Sequence, residues 1–169
     1  MNDLSKEEVE TVSDEIAKFM YQLHKVDLNA NKIEEQKDSH LKLTDFLDEL
    51  LVLHTSDKDR KFWKIDDFSK KEHDCLVHGD LNSSNVLLDE NNHVTAFIDF
   101  GFAGYGNKYF DIARIIGRCP EQFKDGIAKS YEKYSNEKLD EKVLNDEIQI
   151  WTNIDNAYIN YMRKIGIYE

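Results

Sequence analysis

Two polar motifs set between short apolar runs constrain the fold of this 169-residue chain more than any other feature. The first motif, at residues 78–85, reads His-Gly-Asp-Leu-Asn-Ser-Ser-Asn and follows the apolar run at 75–77. The second, at residues 98–101, reads Ile-Asp-Phe-Gly and ends the apolar run that starts at Val94. Apolar runs this short are typical of β-strands. Both motifs therefore belong to the connections and ends of a small β-structure.

The segments around these motifs predict a hairpin and several helices. The turn-forming residues Asp-Glu-Asn-Asn at 89–92 separate the apolar runs 85–88 and 94–98, which predicts a β-hairpin. Ser5 and Glu8 form a capping box ahead of apolar residues at three- and four-residue steps. Helices are predicted at residues 5–24, at a segment that contains 112–116 and stops at Gly117, at 120–131 and at 140–163. Pro120 is placed at the first position of the third of these helices. Two further segments with helical apolar spacing cover residues 43–51 and 62–68. The predicted fold class is α+β, mostly α.

Chain length, composition and net charge limit the number of domains and the kinds of partner that we expect. The chain has one proline and no Gly/Ser-rich linker, so residues 1–169 fit a single domain. It carries 34 acidic and 22 basic residues, for a net charge of −12. This charge repels the phosphates of nucleic acids and anionic membranes, so neither is an expected partner. It would suit a cationic ligand, although solubility alone is the commoner reason for such a charge.

Cysteine usage and hydropathy indicate the compartment. Cys75 and Cys119 are far apart and match no metal-binding spacing. A buried thiol at Cys75 and a reducing cytosol are the simplest interpretation. No apolar run approaches the roughly 20 residues that cross a bilayer, and the polar, acidic N-terminus is unlike a secretory signal. The expected location is the cytoplasm.

Three side chains in the two motifs are suited to phosphoryl transfer. Asn85 follows Asp80 by five residues, a spacing that lets the Asp face an acceptor hydroxyl while the Asn turns toward magnesium. Asp99 ends a β-run and can bring a carboxylate to the same metal. The motifs therefore predict Asp80 as the catalytic base, and Asn85 and Asp99 as magnesium ligands.

Two other interpretations of these residues remain open. Asp and Asn favour turns, so His78, Asp80 and Asp99 could be turn and cap residues without chemistry. The same three residues could bind zinc in a hydrolase, although zinc sites usually contain more His or Cys. The other histidines, His24 among them, are assigned to packing or to the surface.

The two motifs resemble those of the aminoglycoside phosphotransferase family and related small-molecule kinases. Residues 78–85 match that family's His-Gly-Asp-x-x-x-x-Asn loop, and residues 98–101 resemble its metal-binding Ile-Asp-Phe/Trp segment. Residues 16–24 are similar to the first helix of its C-terminal lobe, which often ends in Leu-His, and residues 111–113 resemble its Asp-Leu-Ala segment. The resemblance covers about residues 5 to 165, in the family's order.

The resemblance implies a fold, a reaction and a role for each motif residue. The fold would be the C-terminal lobe of a protein-kinase-like phosphotransferase, and the reaction a nucleotide-dependent transfer of phosphate to a small-molecule hydroxyl. The acceptor would be an aminoglycoside-type antibiotic or a related aminated compound, with a role in antibiotic resistance. Mg²⁺ and ATP or GTP are the implied cofactors. His78 would support the catalytic loop, and Asp111 would tie it through hydrogen bonds.

Some of the family pattern is altered or missing. Asn107 and Lys108 stand where Asp-Pro is usual, and Phe102 stands where a small or acidic residue is common. No glycine precedes Gly79, so the chain has no glycine-rich loop to cover nucleotide phosphates. We therefore expect an isolated C-terminal lobe with a separate N-terminal lobe as a candidate partner. The alternative is a catalytically inert, truncated kinase lobe that acts as a binding module.

Overall fold

A computed structural model describes residues 4–27, 42–43 and 75–168 of the chain. The predicted apolar segments at 43–51 and 62–68 lie outside these residues, apart from Leu43. The described part is mostly helical with a small amount of β-structure, as predicted. In chain order its elements are α1 (Lys6–His24), β1 (Cys75–Val77), a 3₁₀ turn (Ser83–Asn85), β2 (Val86–Leu88), β3 (Val94–Phe97), β4 (Gly104–Gly106), α2 (Lys108–Arg118), α3 (Glu121–Ser135) and α4 (Glu141–Lys164).

Side-chain caps mark the starts of α1 and α4, and a proline precedes α3. The Ser5 hydroxyl accepts the Glu8 N–H at 3.3 Å and the Glu8 carboxylate accepts the Ser5 N–H at 2.7 Å, which confirms the capping box of α1. Pro120 is the N-cap of α3 rather than its first helical residue, so this helix begins one position later than predicted. Asp140 is the N-cap of α4 and accepts the first free N–H groups of that helix.

Helix α2 is longer than its apolar pattern predicts. Asn107, one of the two residues that replace the usual Asp-Pro, is its N-cap and accepts the Tyr109 N–H at 3.0 Å. The predicted stop at Gly117 is wrong, because the helix continues to Arg118. Gly117 lacks the positive φ with which glycine usually ends a helix. Asn107, which departs from the family pattern, therefore caps the start of α2.

The strands form two antiparallel pairs. The hairpin was predicted correctly: β2 pairs with β3, with Val86 opposite Phe97. Strand β1 pairs with β4, with Cys75 opposite Gly106. Strand β4 was not predicted, since Gly-Tyr-Gly has little intrinsic strand preference. The loop at 78–85 runs from one pair to the other, so both pairs position it.

Two helix contacts and one aromatic stack assemble the elements. Helix α1 packs against α3, and α2 packs against α4. The hairpin is fixed on α1 by Phe19 and Phe97, whose ring centroids are 3.7 Å apart. The Glu15 carboxylate of α1 also accepts the Val94 N–H at 2.7 Å. The completely buried apolar side chains of the core include Val12, Met20, Val77, Leu81, Phe110, Ile112, Ile115 and Ile127.

Both cysteines are free and buried, as expected for Cys75. Burial raises the pKa of the Cys119 thiol to about 11. Across the described ranges, none of the helices combines the length and the apolar character that a membrane span requires.

Helices α1 and α3 approach closely at Gly126. A Cβ at this position would lie 2.9 Å from the Cβ of Ser13 and 2.7 Å from its hydroxyl oxygen. Ser13 is completely buried, and its hydroxyl has no hydrogen-bond partner within the described residues. The missing side chain at Gly126 therefore permits this helix crossing.

We expect Gly126→Ala to destabilise the protein. Overpacking a close contact costs about 1–3 kcal/mol, which exceeds the gain of about 1 kcal/mol from replacing a helical glycine by alanine. Urea unfolding measures the change. The matched control is Gly117→Ala, where the nearest atom to a new Cβ is 3.9 Å away, so the free energy of unfolding should stay the same or rise. Equal effects of both substitutions would contradict the close contact.

Candidate active site

A buried carboxylate on α2 holds the start of the polar loop. Asp111 is completely buried, and its two oxygens accept the backbone N–H groups of His78 and Gly79 at 2.8 and 3.0 Å. Gly79 has a φ of 87°, which is accessible to glycine at little cost. This backbone turn aims two consecutive N–H groups at one carboxylate. The loop enters the site in a conformation that Asp111 and Gly79 define together.

His24 extends this support to two more helices. At the end of α1, its Nε2 lies 3.3 Å from Asp111 Oδ2 and its Nδ1 lies 2.8 Å from the Tyr131 hydroxyl of α3. The assignment of His24 to packing therefore omitted its polar role. The signal was present in the Leu-His ending of the helix, but the partner helices cannot be identified from sequence alone.

His78 joins the two motifs through its ring. Its Nε2 lies 2.9 Å from the Ile98 carbonyl oxygen, which can only accept, so Nε2 carries the hydrogen. Its Nδ1 is then free to accept the Asp80 N–H at 3.3 Å. The ring is completely buried and packs 4.4 Å from the Phe100 ring. His78 is fixed between the motifs and presents no ring nitrogen to a substrate.

Asn85 makes the second link between the motifs. Its side-chain N–H donates to the Asp80 carbonyl at 2.9 Å, and its own backbone carbonyl accepts the Ile98 N–H at 3.0 Å. Asp99 follows directly and has a φ of 65°, a left-handed conformation uncommon for a residue with a side chain. Strain of this kind is concentrated at functional sites. Asp80 and Asn85 thus belong to one hydrogen-bonded unit, and Asp99 directly follows Ile98, the residue to which the Asn85 backbone is bonded.

The oxygens of Asn85 and Asp99 fit a magnesium site. Within the described residues, the Asn85 side-chain oxygen and the Asp99 carboxylate have no hydrogen-bond partner. Mg²⁺ binds one or two protein oxygens and completes its shell with phosphate oxygens and water. The part of the chain that the structure describes contains no cluster of three His, Cys, Asp or Glu side chains around a metal position. Asn85 and Asp99 thus offer one amide oxygen and one carboxylate, which are oxygen types that Mg²⁺ binds.

An arginine–aspartate cluster next to Asp80 was not predicted. Arg114 donates from Nε to Asp80 Oδ1 at 2.7 Å, and from a terminal nitrogen to Asp155 at 2.8 Å. Arg118 pairs with the same Asp155 at 2.7 Å. Asp155 lies on α4, and two guanidinium groups thus offset the negative charge of its carboxylate. Since these residues come from separate helices, only the packing of α2 on α4 reveals the cluster.

Three exposed apolar side chains lie on the hairpin and directly after it. Leu87 of β2 is 43% exposed, and Ile98 and Phe100 are 40% and 45% exposed. Leu87 is paired with Ala96, and Ile98 follows two residues later, which places Leu87 and Ile98 on one face. These side chains give the hairpin an exposed apolar surface that a flat apolar ligand could contact.

The order and packing of these elements are those of a kinase-like fold. The chain belongs to the phosphotransferase enzyme family, whose model matches residues 2–142.

Solved structures give the same fold. A gentamicin–APH(2'')-IIa complex is similar with a TM-score of 0.61 at 18% identity, over 95% of this chain and 63% of that one. A streptomycin–ATP–APH(2'')-IIa ternary complex gives 0.57 at 20% identity, over 94% and 60%. The macrolide 2'-phosphotransferase MphH from Brachybacterium faecium gives 0.57 at 16% identity, over 93% and 57%. This chain thus spans less than two thirds of the length of these relatives.

We expect Asp111→Asn to destabilise the protein and loosen the loop. The amide keeps the size of the carboxylate, but it has one accepting oxygen for two buried N–H groups and loses the charge that strengthens both bonds. The expected loss is about 2–3 kcal/mol of unfolding free energy, measured in urea. Hydrogen exchange at the Gly79 amide should also become faster.

The control for this prediction is Asp146→Asn, the same change at an exposed position of α4. A surface substitution should stay within about 0.5 kcal/mol. If the two variants unfold at the same urea concentration, Asp111 does not support the loop.

Proposed function

We propose that this chain supplies the catalytic lobe of a small-molecule kinase, which transfers the terminal phosphoryl group of ATP or GTP to a hydroxyl group. The observation that carries this proposal is the double link made by Asn85, which bonds the Asp80 carbonyl through its side chain and the Ile98 N–H through its backbone. This link brings a candidate base and two candidate metal ligands into one unit. Phosphoryl transfer depends mainly on such positioning.

Each motif residue then has a role that its contacts support. Asp80 orients the acceptor hydroxyl and receives its proton. Asn85 and Asp99 would hold Mg²⁺, which when bound neutralises negative charge on the phosphates. His78 and Asp111 keep the loop in place and take no part in proton transfer. The buried, fully bonded position of both supporting residues agrees with this division.

We propose a purine nucleoside triphosphate as the donor and an aminated small molecule as the acceptor. The exposed side chains of Leu87 and Ile98 are suited to a nucleotide base, which is compatible with both ATP and GTP. An aminated acceptor is supported by the net charge of −12 and by similar structures that contain gentamicin or streptomycin. Because Asp155 is already paired with two arginines, acceptor amines would need other carboxylates. The free, buried cysteines agree with a cytoplasmic setting.

We expect Asp80→Asn to abolish phosphoryl transfer. The assay incubates the chain with Mg²⁺, labelled ATP or GTP and a panel of aminated and neutral hydroxyl compounds, and follows labelled product. Loss of the carboxylate should lower the rate by about 10²–10⁴-fold, the usual contribution of a positioned general base.

The matched control is Asp125→Asn on α3, whose side chain is 90% exposed. This variant should retain the full rate of transfer. Unchanged transfer by Asp80→Asn, with any acceptor that the unaltered chain uses, would exclude the proposed role of Asp80.

The alternative is a catalytically inert, truncated kinase lobe that acts as a binding module and does not use ATP. The observation in its favour is that the chain spans only 54–65% of the length of the similar solved structures. Titration with ATP, with and without Mg²⁺, separates the two functions. An inert lobe would give neither Mg²⁺-dependent ATP binding nor labelled product.

For the enzyme, we expect Asp99→Ala to weaken Mg²⁺-dependent ATP binding by about tenfold or more. Binding measured without Mg²⁺ should change little, because the lost group is a metal ligand. Calorimetric titration of both proteins provides the comparison. Equal loss with and without Mg²⁺ would assign Asp99 a structural role instead.

A further inference from the structure

Arg114 is a buried cation that connects the candidate base to a distant helix. It lies on α2, and only 8% of the residue is exposed. Its Nε donates to Asp80 Oδ1 at 2.7 Å, and a terminal nitrogen donates to both oxygens of Asp155 at 2.8 and 3.0 Å. No other described residue makes a hydrogen bond to the Asp80 carboxylate. The orientation of this carboxylate therefore depends on Arg114.

Helix α4 holds the guanidinium group of Arg114 from two directions. Trp151 lies under its face, with the guanidinium carbon 4.2 Å from the ring centroid, and Asp155 binds its edge one turn later. The indole of Trp151 is itself fixed, because its N–H donates to the Phe110 carbonyl at 3.0 Å. The planar donor fork of arginine keeps the two carboxylates in a set geometry, which the point charge of lysine cannot do.

The remaining polar groups of Asp80 are also engaged. Its N–H donates to His78 Nδ1, and its carbonyl accepts the side-chain amides of Asn82 and Asn85. With Oδ1 bound by Arg114, only Oδ2 has no partner within the described residues. The Asp80 side chain is 21% exposed, so a substrate can approach it.

We propose that Arg114 is the positioning residue of this site, which fixes Oδ1 of Asp80 and leaves Oδ2 to receive the acceptor hydroxyl. This inference rests on the proposed kinase function. In the reaction the hydroxyl oxygen forms a bond to the γ-phosphorus, and the bond from that phosphorus to the bridging oxygen breaks. A nucleoside diphosphate leaves, and the hydroxyl proton passes to Oδ2 and then to solvent. Arg114 itself does not contact the reacting atoms.

The first test compares the kinetics of Arg114→Lys, Arg114→Met and Arg163→Gln in the full chain. Arg163 is an exposed arginine near the end of α4 and lies outside the arginine–aspartate cluster, so it is the matched control. A misplaced carboxylate should lower kcat by about a hundredfold in Arg114→Met, while KM for the nucleotide changes less than about twofold. Arg114→Lys should recover only part of kcat, and the control should keep most of it.

Two kinetic results would overturn the proposal. One is an unchanged kcat in Arg114→Met. The other is a fall in kcat/KM that comes entirely from KM, because positioning of the base acts on the chemical step. A general loss of folding is detected separately by urea unfolding, and Arg114→Lys, which keeps the charge, tests the same contact in a folded protein.

A second measurement needs neither nucleotide nor acceptor. The Arg114 Nε–H resonance, assigned by its disappearance in Arg114→Lys, should exchange slowly with water. Asp80→Asn should accelerate this exchange by about tenfold or more, since it weakens the bond to Oδ1. Fast exchange in the unaltered chain, or no change in Asp80→Asn, would overturn the proposal.

The two measurements separate failure of this inference from failure of the proposed function. A chain that transfers phosphate to no acceptor contradicts the kinase function, and the Nε–H exchange then decides by itself whether Arg114 fixes Asp80. Transfer by the unaltered chain combined with an unchanged kcat in Arg114→Met contradicts the inference alone.

Discussion

The Asp111 carboxylate is the interaction on which the arrangement of the site depends. It is completely buried, yet its two oxygens accept the N–H groups of His78 and Gly79 and one also contacts His24. A buried charge without partners would be costly, so its three bonds make this one arrangement of loop and helix far more favourable than alternatives. The positions of Asp80 and Asn85 follow from that loop course.

The site divides into buried groups that hold the loop and carboxylates that are accessible to solvent. His78 and Arg114 are buried and engaged with neighbouring residues, whereas Asp99 is exposed and Asp80 is partly so. The hairpin is fixed on α1 by the stacked rings of Phe19 and Phe97, and Phe19 also meets the edge of Phe100.

The overall acidity of the chain gives little information about the charge at its site. The net charge is −12, but two arginines pair with Asp155 and one of them also pairs with Asp80. These two carboxylates and two guanidinium groups balance one another. Attraction of a cationic acceptor is thus a property of particular unpaired carboxylates, because paired charges at short range cancel beyond a few ångströms.

The sequence by itself determined the local features: the capping box at Ser5 and Glu8, the turn at 89–92 of the hairpin, and the five-residue spacing from Asp80 to Asn85. These depend on neighbours along the chain. Tertiary structure alone decided which residues from separate segments contact one another. It pairs strand β4, whose Gly-Tyr-Gly sequence has little strand preference, with β1, and it brings Arg114 to Asp80 across 34 positions. No local pattern encodes such pairs, because packing between helices and strands creates them.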